Sequence, residues 1–267
     1  MLPSLSKYIP KKFGTYIEPF IGGGALFFEL NYNNSIISDS NEELINLYKA
    51  ISKDYLKVSK KLEQYKNTKD FFYKVRDSEP IEIYSKAART IYLNRTCFNG
   101  LYRVNKKGEF NVPYANNKKV NLVDKENLKL ASKLLKKSKI ILSDYQVVLE
   151  KYCKKNDLIF LDPPYLPISK YSDFKRYTKE QFYFDDHVKL AKIFKKLDRK
   201  GCYLILTNSN SPEIHKLYKD YNIEVVSTKR NINSKGNKRT GEDIIVSNYE
   251  KNIWSIQVFP TLKVYGQ

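Results

Sequence analysis

The apolar residues Leu158-Ile159-Phe160-Leu161 run directly into Asp162-Pro163-Pro164-Tyr165. A short apolar run of this kind reads as a buried strand. The two prolines stiffen the turn that follows. The tetrapeptide then lies at the strand's C-terminal end, which is where open α/β sheets bind ligands. Its chemistry suits an exocyclic amine on a planar ring. A carboxylate and a backbone carbonyl accept the two N–H bonds of such an amine, and the tyrosine offers a face for stacking. A bare Asp-Pro-Pro turn also serves as plain structure, so the motif needs support from elsewhere in the chain.

The same grammar of strand followed by acid or turn recurs. Tyr16-Ile17-Glu18-Pro19-Phe20-Ile21-Gly22-Gly23-Gly24-Ala25 reads as a strand, a glycine turn and a helix start. Glycines let backbone approach a ligand closely, and a helix start has unpaired N–H groups. The spacing is not G-x-G-x-x-G and no Walker lysine follows. Ser35-Ile36-Ile37-Ser38-Asp39 predicts a second strand ending in an acid suited to ribose hydroxyls. A tight turn at Gly22–Gly24 and a helix cap at Asp39 are the plainer alternatives. Apolar Leu44, Leu47, Ile51, Leu56 and Leu62 recur at helical spacing. Lys139-Ile140-Ile141-Leu142-Ser143-Asp144 resumes the strand-and-acid pattern. A helix over 187–197, a strand over 202–207 and a hairpin from 223–226 and 243–246 complete it. The expected fold is α/β, a doubly wound, mostly parallel sheet with helices on both faces.

Net charge is +19, from 48 Lys+Arg against 29 Asp+Glu. That excess favours a polyanionic partner, although an AT-rich genome enriches lysine by codon bias alone. Cys97, Cys153 and Cys202 are widely spaced and form no metal or disulfide pattern. A reducing cytoplasm suits them. His187 and His215 lie in helix-like stretches and are expected to be surface or structural. No segment approaches ~18 uninterrupted apolar residues, so no membrane span is expected.

The most specific stretch is Leu93-Asn94-Arg95-Thr96-Cys97-Phe98-Asn99-Gly100-Leu101-Tyr102-Arg103-Val104-Asn105, followed by Gly108-Glu109-Phe110-Asn111-Val112-Pro113. With the glycine turn before it, and Asp162-Pro163-Pro164-Tyr165 and Thr207-Asn208-Ser209-Asn210 after it, the chain resembles the Dam-like, D12-class DNA N6-adenine methyltransferases from about Leu2 to Tyr249. The resemblance implies a methyltransferase-type sheet formed by residues 1–52 and 140–249. A helical target-recognition domain over 53–139 is inserted into it, and 250–267 is an unassigned tail. It also implies S-adenosylmethionine as methyl donor, no metal, and double-stranded DNA as substrate, at GATC or a closely related site. A cognate restriction endonuclease is a further partner the resemblance admits.

By the same resemblance Asp162, Pro163, Pro164 and Tyr165 are catalytic. Glu18, Phe20, Gly22 and Gly24 hold the donor's methionine end, Asp39 its ribose, and Asp144 lies near its adenine, with Asp162 adjoining. Glu18 attracts the donor's ammonium or pairs with a scaffold lysine. Arg95, Phe98, Asn99, Leu101, Arg103 and Asn105 are the recognition candidates. Phe98 is the candidate wedge and Arg103 the reader of a guanine edge, with local core packing the alternative for Phe98 and Leu101. Lys238 and Arg239, in a basic loop over 232–241, are expected on the phosphate backbone.

One departure concerns the start. The family opens with a segment resembling Lys-Trp-Ala-Gly-Gly-Lys before a Leu-Leu-Pro, whereas this sequence begins at Met1-Leu2-Pro3. Weak donor binding is the expectation if that piece is missing. A catalytically impaired DNA-binding homologue and an RNA adenine methyltransferase are the rival readings.

Overall fold

The structure is a computed structural model and describes residues 1–105, 108–117, 119–167, 182–229 and 240–251. Seven strands form one sheet: β1 (Tyr16–Glu18), β2 (Ser35–Asp39), β3 (Ser138–Leu142), β4 (Leu158–Leu161), β5 (Tyr203–Ser209), β6 (Asn222–Lys229) and β7 (Thr240–Ser247). Their order is β3-β2-β1-β4-β5-β7-β6. The first five are parallel, while β7 runs antiparallel to both β5 and β6. The expected mostly parallel sheet and closing hairpin are both present. The strand order reverses between β1 and β4, so the crevice beyond their C-terminal ends is the switch point of the fold.

Alternation along the strands builds two cores. Leu158 and Phe160 of β4 join one buried cluster, while Ile159 and Leu161 join the other. In the same way Ile205 and Ile245 face one side, and Leu204, Leu206, Ile244 and Val246 face the opposite side. Successive side chains of a strand point to opposite faces, so a continuous apolar run means helices on both.

The helices are α1 (Leu2–Leu5), α2 (Ala25–Leu30), α3 (Glu42–Leu62), α4 (Lys69–Arg76), α5 (Ile83–Thr96), α6 (Lys125–Leu135), α7 (Tyr145–Tyr152), α8 (Phe184–Arg199) and α9 (Pro212–Leu217). Asn41 caps α3 by accepting from the Glu43 and Leu44 amides. Inside α3, Asp54 leaves helical geometry at φ −158°, ψ 92°. Its carboxylate accepts from the Leu56 and Lys57 amides, as an N-cap does. The break rephases the helix. Leu44, Leu47, Ile51 and Leu62 are buried as their spacing predicts, but Leu56 is 57% exposed. The expected boundary between 52 and 53 therefore falls inside a helix, two residues before its break. α5 and α6 both pack along α3. Phe72, Tyr92 and Leu128 of α4, α5 and α6 share a buried cluster with Tyr16 and Ile37 of the sheet.

Residues 168–181, 230–239 and 252–267 lie outside the described residues, and with them Lys238, Arg239, Trp254, Val258, Phe259 and most of the expected basic loop. Cys97, Cys153 and Cys202 are buried and unpaired. His187 is fully buried, and His215 meets the Asn210 side chain at 2.7 Å. Among the described residues no helix is long and apolar enough to cross a membrane.

Candidate active site at the C-terminal edge of the sheet

Glu18 ends β1, Asp39 ends β2 and Asp162 follows β4, so the topology alone brings three carboxylates to one edge. The chain between β1 and α2 forms the glycine turn that the sequence predicts. Gly22 (φ 44°) and Gly24 (φ 68°) are left-handed, a region that side chains other than glycine enter at a cost. A Cβ on Gly24 would also lie 2.9 Å from the Phe28 ring, while one on Gly23 would meet open space. The turn is tied down on both sides. The Gly22 amide donates to Asp39 Oδ2 at 3.0 Å, and the Tyr48 hydroxyl donates to the Gly22 carbonyl at 2.6 Å.

Glu18 is 2% exposed. The Tyr16 hydroxyl donates to its Oε2 at 2.7 Å. Burial pushes its pKa well up, the Tyr16 bond opposes that, and the nearby charges of Asp162 and Asp39 raise it further. No lysine, arginine or histidine pairs with it among the described residues, so the scaffold-lysine alternative finds no partner there. Asp39 is 5% exposed, and its second oxygen accepts from the Asn41 amide at 2.9 Å. Burial raises its pKa from 3.8 to about 6, against the pull of those backbone amides. Both its oxygens thus hold local backbone, and the cap of α3 is Asn41 rather than Asp39. Asp144 is exposed and caps α7 through the Gln146 amide at 2.8 Å. Phe20 stacks on Tyr145 with centroids 4.9 Å apart, and Phe182 meets Phe20 edge-on at 5.9 Å. These rings form an apolar wall beside the glycine turn. Tyr145 and Phe182 were not foreseen from sequence, where each reads as an ordinary core aromatic.

Asp162 is exposed on one side and crowded on the other. The crowding is the first cause of its raised pKa, and bonds from Thr207 and Tyr165 act against it. The Tyr165 hydroxyl lies beside Asp162 and Thr207, and burial raises its pKa first, followed by the Asp162 charge. Pro163 is buried and Pro164 exposed.

The recognition candidates divide. Phe98 is 50% exposed at a turn where Asn99 is left-handed (φ 54°), so local core packing does not account for it. Leu101 packs partly against the core. Arg95 donates to the Asn121 and Leu122 carbonyls at 2.8 and 3.0 Å, pinning the chain ahead of α6. Arg103 donates through Nε and Nη2 to the Asn111 side chain and carbonyl at 2.8 and 3.3 Å. Asn105 and Glu109 bond to each other through side chain and backbone, closing a short hairpin.

Comparison with known proteins gives the family. Residues 1–232 match the model of the D12 class N6 adenine-specific DNA methyltransferase family. Type II methyltransferase M.MjaIII of Methanocaldococcus jannaschii is 42% identical over 255 residues, which cover 88% of this chain and 88% of that protein. Type II methyltransferase M1.LlaDCHI of Lactococcus lactis subsp. cremoris is 39% identical over 260 residues, covering 93% and 91%. A DNA adenine methylase of Vibrio cholerae is 26% identical over 262 residues, covering 96% and 94%. With carboxylates and an Asp-Pro-Pro-Tyr loop at the switch point and relatives of this kind along nearly its whole length, the chain belongs to the D12 class of N6 adenine-specific DNA methyltransferases.

Proposed function

We propose that this enzyme transfers a methyl group from S-adenosylmethionine to N6 of an adenine flipped out of duplex DNA, at GATC or a closely related site. The observation that carries this reading is the carboxylate cluster of Glu18, Asp39 and Asp162, which has no protein cation beside it among the described residues. Carboxylates of like charge, Glu18 and Asp39 buried and Asp162 open on one side, ask for a cationic ligand. Bound there, the donor supplies an electrophilic methyl group on a sulfonium. Glu18 attracts the ammonium of its methionine end, where Phe20, Gly22 and Gly24 shape the turn. The backbone-bonded Asp39 faces the ribose, and Asp144 lies towards the adenine.

Adenine within a duplex hides its N6, so the base must leave the stack, at a cost of a few kcal/mol. Stacking on Tyr165 offsets roughly 1–3 kcal/mol of that. Phe98, exposed at its turn, fills the gap left behind. Asp162 and the Pro163 carbonyl accept both amine hydrogens and aim the nitrogen lone pair at the methyl group. Pro164 keeps the loop rigid. In the in-line displacement the N6–methyl bond forms as the methyl–sulfur bond breaks, the donor leaves as a neutral thioether, and the proton lost from N6 passes to solvent; positioning and electrostatics suffice for this step. The recognition region is 53–139, inserted between the two parts of the catalytic domain. Arg103, held by Asn111, reads a guanine edge, and Lys238 and Arg239 follow the phosphates. Asn99, Leu101, Asn105 and Arg95 shape the same region. A reducing, cytoplasmic setting accords with the buried free cysteines. A cognate restriction endonuclease accords with two relatives named type II methyltransferases.

The test is transfer of labelled methyl groups to duplexes carrying GATC, to duplexes with that adenine in other contexts, to RNA and to free adenine. 2-Aminopurine fluorescence at the target position reports flipping. Labelling of RNA or free adenine at the rate of duplex DNA would overturn the proposal.

A further inference from the structure

The end of β5 grips the Asp162 loop at both its ends. The ladder pairs Leu161 with Leu206, so the next residues, Asp162 and Thr207, face each other just past the last pair. Thr207 is buried. Its β-branched side chain has few χ1 choices, and its hydroxyl donates to Asp162 Oδ1. At the far end of the loop the Leu166 amide donates to Asn208 Oδ1 at 3.1 Å, and the Ser209 hydroxyl donates to the Leu166 carbonyl at 2.8 Å. Between these anchors stand two prolines, which have no N–H to offer the Asp162 side chain.

We propose that Thr207 is a positioning residue for methyl transfer, fixing the plane of the Asp162 carboxylate through Oδ1 so that the carboxylate, which Tyr165 also bonds, keeps a lone pair aimed at the substrate amine. The inference rests on the role given above to Asp162. Thr207 itself touches no reacting atom. Its hydroxyl also favours the ionised carboxylate, opposing the desolvation that raises the Asp162 pKa. Without the hydroxyl, the acid limb of kcat should move to higher pH.

The experiment measures kcat, the KM values for donor and for an adenine-bearing duplex, and the pH profile of kcat. It compares the full chain with Thr207→Val, Thr207→Ser and Asp162→Ala. Thr207→Val should lower kcat about 10–100-fold, the scale of a small misplacement at a reacting centre. Both KM values should stay within about twofold, and the acid limb should shift upward. Thr207→Ser restores the hydroxyl and should recover most of kcat. If the valine variant does not fold, Thr207→Ala removes the same hydroxyl and is judged by the same criterion. A valine or alanine variant that keeps most of kcat, or a serine variant that loses as much as valine, overturns the proposal while leaving Asp162 in place. If Asp162→Ala itself stays active, the reading beneath it fails instead.

Discussion

Asp39 gives the C-terminal edge of the sheet a measurable pH signature. Its carboxyl is buried, both oxygens accept backbone amides, and its pKa rises from 3.8 to about 6 on folding. A raised carboxylate pKa means that the folded state prefers the proton. The associated stability is therefore fully present below the unfolded pKa and is lost as pH rises through about 6. At about 1.36 kcal/mol per unit, the whole effect is about 3 kcal/mol, of which about 2 kcal/mol falls between roughly pH 4.5 and pH 7. Asp39→Asn preserves shape and removes the titration. Urea unfolding of both proteins across that interval isolates Asp39 together with its coupling to Glu18, since titrating groups that do not feel the Asp39 charge cancel in the difference. The wild-type advantage over the variant should shrink by about 2 kcal/mol as pH rises. Saturating donor, whose positive charge favours the ionised carboxylate, should flatten that slope. A difference that stays constant with pH, or grows, would refute the placement of Asp39 as a desolvated acid.

Four further outcomes are expected. Glu18→Gln should weaken donor binding about 10–100-fold, the equivalent of one charge-assisted bond, by calorimetric titration; an unchanged Kd would remove Glu18 from the donor site. Tyr165→Ala should lower turnover more than Tyr165→Phe, because stacking uses the ring; equal losses would assign the work to the hydroxyl beside Asp162. Phe98→Ala should change unfolding free energy by less than about 0.5 kcal/mol, as for a surface residue, yet reduce the 2-aminopurine signal of flipping; a large stability loss with normal flipping would make Phe98 a packing residue. Arg103→Ala should relax specificity at one base pair by roughly 1–3 kcal/mol; a uniform loss across all duplexes would exclude direct readout.

The sheet was legible because its strands carry an obvious signal: apolar runs such as Leu158–Leu161 that end at an acid or a proline. The same signal placed Glu18, Asp39 and Asp162 at one edge. Polar contacts made at a distance were less visible. Thr207 reads in sequence as one more β-branched strand residue, and only the register shows that it faces Asp162. Tyr48 is buried, and its hydroxyl holds the glycine turn from 26 residues away. Arg95 is a recognition candidate by resemblance, and the two carbonyls of its own chain to which its guanidinium donates are invisible in the sequence. Nothing in the apolar spacing marks Asp54 as the residue that restarts the helix, which is why Leu56 was assigned to the wrong face. In each case the partner lies far along the chain, or the effect depends on backbone geometry that periodicity does not encode.

The buried cluster that joins α4, α5 and α6 to the sheet bears on how such an enzyme changes its target over evolutionary time. Phe72, Tyr92 and Leu128 pack into the same interior as Tyr16 and Ile37. A wholesale graft of the stretch from another lineage would bring foreign side chains into that interior, where added or missing methylenes are felt. The half-exposed tip at Phe98 carries no such obligation. With recognition at this tip, as proposed above, new preferences would arise by point changes there while the helices behind it keep their sequence. Old and new specificities would share one scaffold and differ in a few side chains.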